Sequence, residues 1–127
     1  MISENLKKQV VSFWKLSTTD LEIIASKFTY NEFRQKEYIL VEGKISTHLH
    51  FIESGLVRVF HLREAKETTT YLSSDNGFVS SYSSFINQTK SVENIQCLEK
   101  TETLSISFKG CRSCMIVLLN GKKLEGF

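Results

Sequence analysis

Apolar residues change their spacing near residue 29, and the two periods predict two kinds of structure. Before that point, residues 3–15 carry apolar side chains at helical spacing behind Ser3, a residue type that caps helices. Ser17 would cap a second helix, with Asp20 three residues later as in a capping box. The apolar positions of the two predicted helices are Leu6, Val10, Phe13 and Trp14, then Leu21, Ile24, Ala25 and Phe28.

After residue 29 the apolar pieces are short and rich in β-branched and aromatic residues, which favours strands. Gly43 and Gly55 punctuate these pieces where the chain must turn back, and glycine adopts positive φ without a steric penalty. Closing strands are predicted at 92–98 and 103–108, the second with alternating apolar and serine positions. Short strands joined by tight turns predict an antiparallel sandwich or barrel.

Two runs in this region, Glu-Tyr-Ile-Leu-Val-Glu-Gly at 37–43 and Leu-His-Phe-Ile-Glu-Ser-Gly-Leu-Val-Arg-Val-Phe at 49–60, resemble a known family. They are similar to the cyclic-nucleotide-binding domain of Crp/Fnr-type bacterial transcription regulators. The resemblance implies a mainly β (α+β) fold: an antiparallel, jelly-roll-like β-roll (a double-stranded β-helix) with N-terminal helices and a short phosphate-cassette-like helix. It implies a domain at 1–108. Residues 109–127 are then a C-terminal tail, too short for a helix-turn-helix domain.

In that family a cassette holds the ligand: a turn glycine, a Glu for the ribose 2′-hydroxyl and, about ten residues later, an Arg for the phosphate. Ser81 stands at the Glu position and Ser91 at the Arg position, so we expect cAMP and cGMP to bind in the millimolar range or not at all. The alternative is that serines 80–84 only cap and solvate a short surface helix. The candidate ligand-binding residues are Gly77, Phe78, Val79, Ser80, Ser81, Tyr82, Lys90, Ser91 and Val92.

A second interpretation is a small cupin-type metalloenzyme that uses His48, His50 and Glu53 on one strand. The spacing is shorter than the cupin motif and a chain without proline lacks the second half of that motif, which favours two partly exposed histidines on a strand face.

Cys111 and Cys114 form a lone CxxC without zinc spacing. We therefore expect no catalytic residue, no metal and no cofactor. A third interpretation is an interaction domain with no ligand.

Composition narrows the class of protein without naming a ligand. The 127 residues suit one domain, and a formal net charge of +2 is a weak footprint for nucleic acid or an anionic membrane surface. An N-terminus without a signal-peptide core, the lack of a long apolar run and an odd cysteine count predict a cytoplasmic location. We expect a non-enzymatic sensor domain with a small-molecule ligand, nucleotide-like or other, and no direct DNA or membrane binding. The resemblance also leaves a second copy of the chain, in a homodimer, as a candidate partner.

Overall fold

The computed structural model describes residues 4–13 and 17–114. Its first two helices are α1 (Glu4–Phe13) and α2 (Thr18–Ser26). The predicted cap of α2 is confirmed, because Ser17 Oγ accepts a hydrogen bond from the Asp20 backbone N–H at 3.1 Å. Residues 3, 14 and 15 of the predicted first helix lie outside the described residues.

Eight strands among the described residues form two four-stranded antiparallel sheets, which confirms the predicted mainly β roll. The first sheet has the order β1-β8-β3-β6 and the second β2-β7-β4-β5. The elements are β1 (Thr29–Phe33), β2 (Tyr38–Leu40), β3 (His48–Ser54), β4 (Leu56–Arg63), β5 (Lys66–Ser74), β6 (Phe78–Val79), α3 (Tyr82–Asn87), β7 (Asn94–Cys97) and β8 (Thr101–Ser107). The predicted strand at 92–98 begins two residues before β7, and the predicted strand at 103–108 begins two residues after the first residue of β8. Phe108 is the first residue of a helical segment instead of the last residue of a strand.

The two glycine turns have the predicted backbone conformation, with φ of +91° at Gly43 and +128° at Gly55. At Gly55 space is also missing, because a Cβ there would lie 2.7 Å from the Thr101 Cα atom. Gly43 has no atom within 4 Å of that position, so its requirement is conformational alone. Gly55 therefore packs the β3–β4 turn directly against β8.

The main core lies between the sheets, and a second apolar layer covers the outer face of the first sheet. The inter-sheet core is built from aliphatic side chains and one thiol: Leu40, Ile52, Val57, Val59, Val79, Ile95 and Cys97. On the outer face, Leu6 of α1 packs with Phe51, and Ile24 of α2 packs with Ile106 and Cys114. Residues 108–114 are helical, so the packing of the domain continues beyond Phe108.

The inner face of the first sheet is unusually polar. On β8 the apolar Leu104 and Ile106 face the helices, while Thr103 and Ser105 face the second sheet and contact each other at 3.1 Å. Ser105 Oγ also lies 2.6 Å from His50 Nδ1, and His50 is only 9% exposed. The prediction that both histidines of β3 are partly exposed is therefore wrong for His50, because the first sheet is covered on both faces.

None of the helices described is long and apolar enough to cross a membrane.

Candidate functional site

Buried serine side chains bind the segment that follows β6, residues 80–87, to the rest of the roll, and we call this segment the cassette. Ser80 Oγ donates to the His48 carbonyl oxygen at 3.0 Å and lies 3.0 Å from Ser46 Oγ. Ser84 Oγ accepts from the Ser46 backbone N–H at 2.8 Å. Ser80, Ser81 and Ser84 are all buried, so they do not merely solvate a surface helix. The structure also shows no side-chain cap at Ser81, because its hydroxyl is used elsewhere.

The hydroxyl of Ser81 connects Ser91 to Glu93. Ser91 Oγ donates to Ser81 Oγ at 3.0 Å, and Ser81 Oγ donates to Glu93 Oε1 at 2.8 Å. Ser91 Oγ also accepts from the Glu93 backbone N–H at 2.9 Å. Ser81 is 2% exposed and Ser91 is 3% exposed. Ser81 and Ser91, the residues that the resemblance assigns to the Glu and Arg positions of the family, are thus joined in one buried hydrogen-bond network that ends on a carboxylate.

Glu93 also faces an open pocket beside α3, which we call the cassette pocket. Its volume is about 300 Å³, and it is lined by Val59, Tyr71, Ser80, Tyr82, Ser83 and Glu93. Glu93 Oε2 lies 3.8 Å from His61 Nε2. Burial, and then the nearby Tyr71, raise the pKa of Tyr82. The pocket therefore offers a carboxylate and two tyrosines, and none of its lining residues is Lys or Arg.

The predicted ligand-binding residues fall into different places in this geometry. Ser80 and Tyr82 line the cassette pocket, while Ser81 and Ser91 lie in the network behind it. Whether any of them binds a ligand stays a prediction.

The remaining predicted residues lie apart from the pocket lining. Val79 belongs to the inter-sheet core, and the Phe78 ring packs against Phe51 with 5.2 Å between ring centroids. Gly77 forms the turn before β6, where its N–H donates to the Ser74 carbonyl oxygen. Lys90 and Val92 are exposed and precede β7 instead of lying on it.

Sequence reasoning missed the acidic residue that dominates this pocket. The β4–β7 register pairs Phe60 with Asn94, which places His61 next to Glu93 although the two are distant in sequence. The available signal was an acidic residue two positions after Ser91. The sequence does not show that its side chain faces the pocket, because this depends on the pairing of β4 with β7.

The residues of the cupin interpretation are not assembled into a site. His48 and His50 line one cleft between the sheets, and Glu53 is not among the residues that line it. Within residues 4–13 and 17–114, no group of three or more His, Cys, Asp or Glu side chains could hold a metal ion.

The CxxC pair lies in the helical segment after β8. Cys114 is buried against Ile24 and Ile106, and Cys111 packs beside it. Burial raises the pKa of both thiols, that of Cys114 to about 11. Both thiols are therefore protonated at neutral pH and are poor nucleophiles.

A family model described as "Cyclic nucleotide-binding domain" matches residues 30–116. The chain belongs to this family. Its resemblance to the sensor domain of Crp/Fnr-type regulators is confirmed, and the cupin interpretation is not supported. No curated protein sequence matches the chain.

Solved structures of cyclic-nucleotide-binding-domain proteins share this fold. The Thermus thermophilus catabolite activator protein is 19% identical with a TM-score of 0.72, over 89% of this chain and 57% of that one. The sensor domain of the transcriptional regulator DNR from Pseudomonas aeruginosa is 14% identical with a TM-score of 0.77, over 90% and 79%. A regulatory subunit of a cAMP-independent protein kinase A from Trypanosoma cruzi, bound to guanosine, is 18% identical with a TM-score of 0.71, over 86% and 38%. The chain thus spans 57% of the catabolite activator protein and corresponds to its sensor portion.

Proposed function

We propose that this chain is a non-enzymatic regulatory sensor domain of the Crp/Fnr type whose cassette pocket does not accept the phosphate of a cyclic nucleotide. The observation that carries the proposal is the contact of Ser81 with both Ser91 and Glu93, at 3.0 and 2.8 Å. The two family positions that hold the ribose and the phosphate are filled by buried serines that already bind each other.

Electrostatics argues against an anion at this position. A phosphate placed on Ser81 and Ser91 would lie beside the Glu93 carboxylate, whose side chain is only 24% exposed. Two unit charges of like sign about 4 Å apart repel by about 4 kcal/mol in a partly buried setting. The missing Arg would remove a further ~1.5–3 kcal/mol of charge-assisted hydrogen bonding. Together these effects support the expectation that cAMP and cGMP bind in the millimolar range or not at all.

A neutral ligand that donates hydrogen bonds fits the pocket better than a phosphate ester. The Glu93 carboxylate accepts hydrogen bonds only, while Tyr71 and Tyr82 offer aromatic surface and hydroxyl groups. The guanosine-bound protein from Trypanosoma cruzi supports this class of ligand, since it has the same fold and its ligand carries no phosphate. We propose a nucleoside-like molecule as the ligand.

Calorimetric titration with guanosine, adenosine, cAMP and cGMP tests this proposal. We expect a nucleoside to bind more tightly than either cyclic nucleotide, and Glu93→Gln to weaken nucleoside binding about tenfold because a charged acceptor is lost. The matched control is Glu99→Gln, an exposed carboxylate outside the pocket. If none of the four compounds binds, the domain is better described as an interaction domain with no ligand.

We further propose that this chain, taken alone, acts in the cytoplasm and does not bind duplex DNA in a sequence-specific way. Specific binding needs a helix or ribbon in a groove together with several phosphate contacts, and a net charge of +2 supplies few of these. A gel-shift assay should show no sequence-dependent complex, and a salt-resistant one would contradict the proposal. Homodimer formation stays a prediction, which light scattering would check.

A further inference from the structure

A second cavity, larger than the cassette pocket, opens between the two sheets at the β1 edge of the roll. Its volume is about 510 Å³, and we call it the histidine cleft. Its lining residues come from β1, β2, the 41–47 loop, β3 and β7, and they include Asn31, Lys44, Ile45, His48, His50 and Ile95. It shares no lining residue with the cassette pocket. None of the ligand-binding residues predicted from the sequence lies in it.

One wall of the histidine cleft is polar, and hydroxyl side chains of β8 hold its histidine in place. Thr103 Oγ1 contacts Ser105 Oγ at 3.1 Å, and Ser105 Oγ contacts His50 Nδ1 at 2.6 Å. The other ring nitrogen, Nε2, has no hydrogen-bond partner among the described residues, and no buried polar side-chain atom among them lacks a partner. Nε2 of this nearly buried imidazole is therefore accessible from the cleft that the ring lines. A ring nitrogen that opens into a cleft in this way can bind a polar atom of a ligand.

The opposite wall is apolar. Ile39, Leu40 and Ile95 line it from the second sheet, and Ile45 at the rim is 42% exposed. Lys44 also lines the cleft, and none of the described lining residues carries a carboxylate. A ligand that fits would combine an apolar body with an anionic, hydrogen-bonding head. The volume lies within the usual range for small-molecule sites, ~300–1,000 Å³.

We propose that the histidine cleft binds a small amphipathic carboxylic acid, with its carboxylate against His50 Nε2 and Asn31 and its hydrocarbon part on the apolar wall. His50 positions the carboxylate through Nε2, because the contact of Nδ1 with Ser105 Oγ fixes the orientation of the ring. Lys44 contributes a positive charge to the same lining.

The protonation of His50 gives this proposal a specific signature. Burial, and then the neighbouring His48, lower the pKa of His50 to about 4, so the imidazole is neutral in the empty cleft. A carboxylate beside Nε2 favours the imidazolium, in which both ring nitrogens donate, and binding should take up protons. The His50 ring packs against Phe33 of β1, lies beside His48 of β3 and contacts Ser105 of β8. The other ionisable side chains that line the cleft are Lys44 and Tyr38.

Calorimetric titration with octanoate tests the proposal, with octanol and octylamine as probes that share the apolar body. We expect octanoate to bind about tenfold or more tightly than either. At about pH 6.5, titrations in two buffers that differ in ionisation enthalpy should show proton uptake by the wild type and none by His50→Gln.

A rim substitution keeps the test valid if His50→Gln fails to fold. Ile45→Glu places a carboxylate at the mouth of the cleft and should weaken octanoate binding about tenfold. Ile23→Glu on α2 is the matched control, since Ile23 is 41% exposed and lies outside the cleft. The proposal is overturned if octanoate does not bind, if octanol or octylamine binds as tightly, or if the two glutamate variants bind octanoate equally well.

Discussion

The cassette pocket and the histidine cleft are lined by side chains of opposite charge. The cassette pocket, which the family resemblance predicts as the ligand site, contains the Glu93 carboxylate and no Lys or Arg among its lining residues. The histidine cleft at the β1 edge contains two imidazoles and Lys44, and no carboxylate among its described lining residues. If the cassette pocket corresponds to the ligand cavity of the family, as we propose, its charge now disfavours an anion, whereas the charge of the histidine cleft favours one. The comparison teaches that two cavities of one fold can differ in charge, and that the side chains lining each cavity decide which ligand charge it can accept.

The two cavities also differ in how fully the polar side chains near them are hydrogen-bonded. Ser81 and Ser91 complete a closed network with Glu93, so their hydroxyls are already used. His50 is fixed through one ring nitrogen only, which leaves the other accessible. A closed network stabilises the fold, whereas an accessible, oriented ring nitrogen is available to a ligand.

The largest expected effect concerns acid stability and comes from His50. Its pKa in the folded protein is about 4, below the ordinary value near 6.5, so the unfolded chain takes up this proton first as the pH falls. The free energy of unfolding should drop by about 2–3 kcal/mol between about pH 6.5 and pH 4 on account of this group. Urea unfolding at several pH values measures it.

The control for that measurement is His50→Gln, which has no group titrating in this range at position 50. Its stability should fall less steeply over the same window, whatever its stability at neutral pH. If the free energy of unfolding fell equally with pH in both proteins, His50 would not be held neutral in the folded state, and the difference between the two cavities would lose its support.

A smaller effect is expected at the closed network. Ser81→Ala removes the donor to Glu93 and the acceptor of Ser91, and it should lower the free energy of unfolding by about 1–2 kcal/mol. The neighbouring Ser83 is exposed, so Ser83→Ala should change stability by less than about 0.5 kcal/mol. Chemical denaturation compares the two, and equal effects would mean that the network contributes no stability.

The smallest expected effect is a gain of function in the cassette pocket. Combining Ser81→Glu and Ser91→Arg with Glu93→Gln restores the charges of the family and removes the opposing carboxylate. The affinity for cAMP should rise about tenfold or more, roughly 1.4 kcal/mol, and should rise less if Glu93 is retained, because it would pair with the new Arg. Calorimetry measures the gain. No gain in a folded triple variant would mean that the pocket cannot admit the nucleotide at all.

Much of the fold could be predicted from the sequence because its signals are local. Helical spacing before residue 29, the Ser17 cap and the glycines at 43 and 55 each specify a nearby backbone conformation. The ends of β7 and β8 were misplaced because strand ends depend on pairing with distant strands.

The surroundings of the candidate site residues could be predicted less well, for the same reason. Spacing from Gly77 led to Ser81 and Ser91, which do contact each other. The role of Glu93 depends on the β4–β7 pairing, and the burial of His50 depends on which face of β3 points inward. A period of two shows that residues share a face, but it does not say which face is covered.

Calorimetric titration of the wild type and of Glu93→Gln with cAMP tests the central claim most directly, namely that the cassette pocket rejects a phosphate because of its own carboxylate. We expect millimolar or undetectable binding by the wild type and about tenfold tighter binding by the variant, while Glu99→Gln behaves as the wild type. Micromolar binding of cAMP by the wild type, unchanged by Glu93→Gln, would contradict the claim.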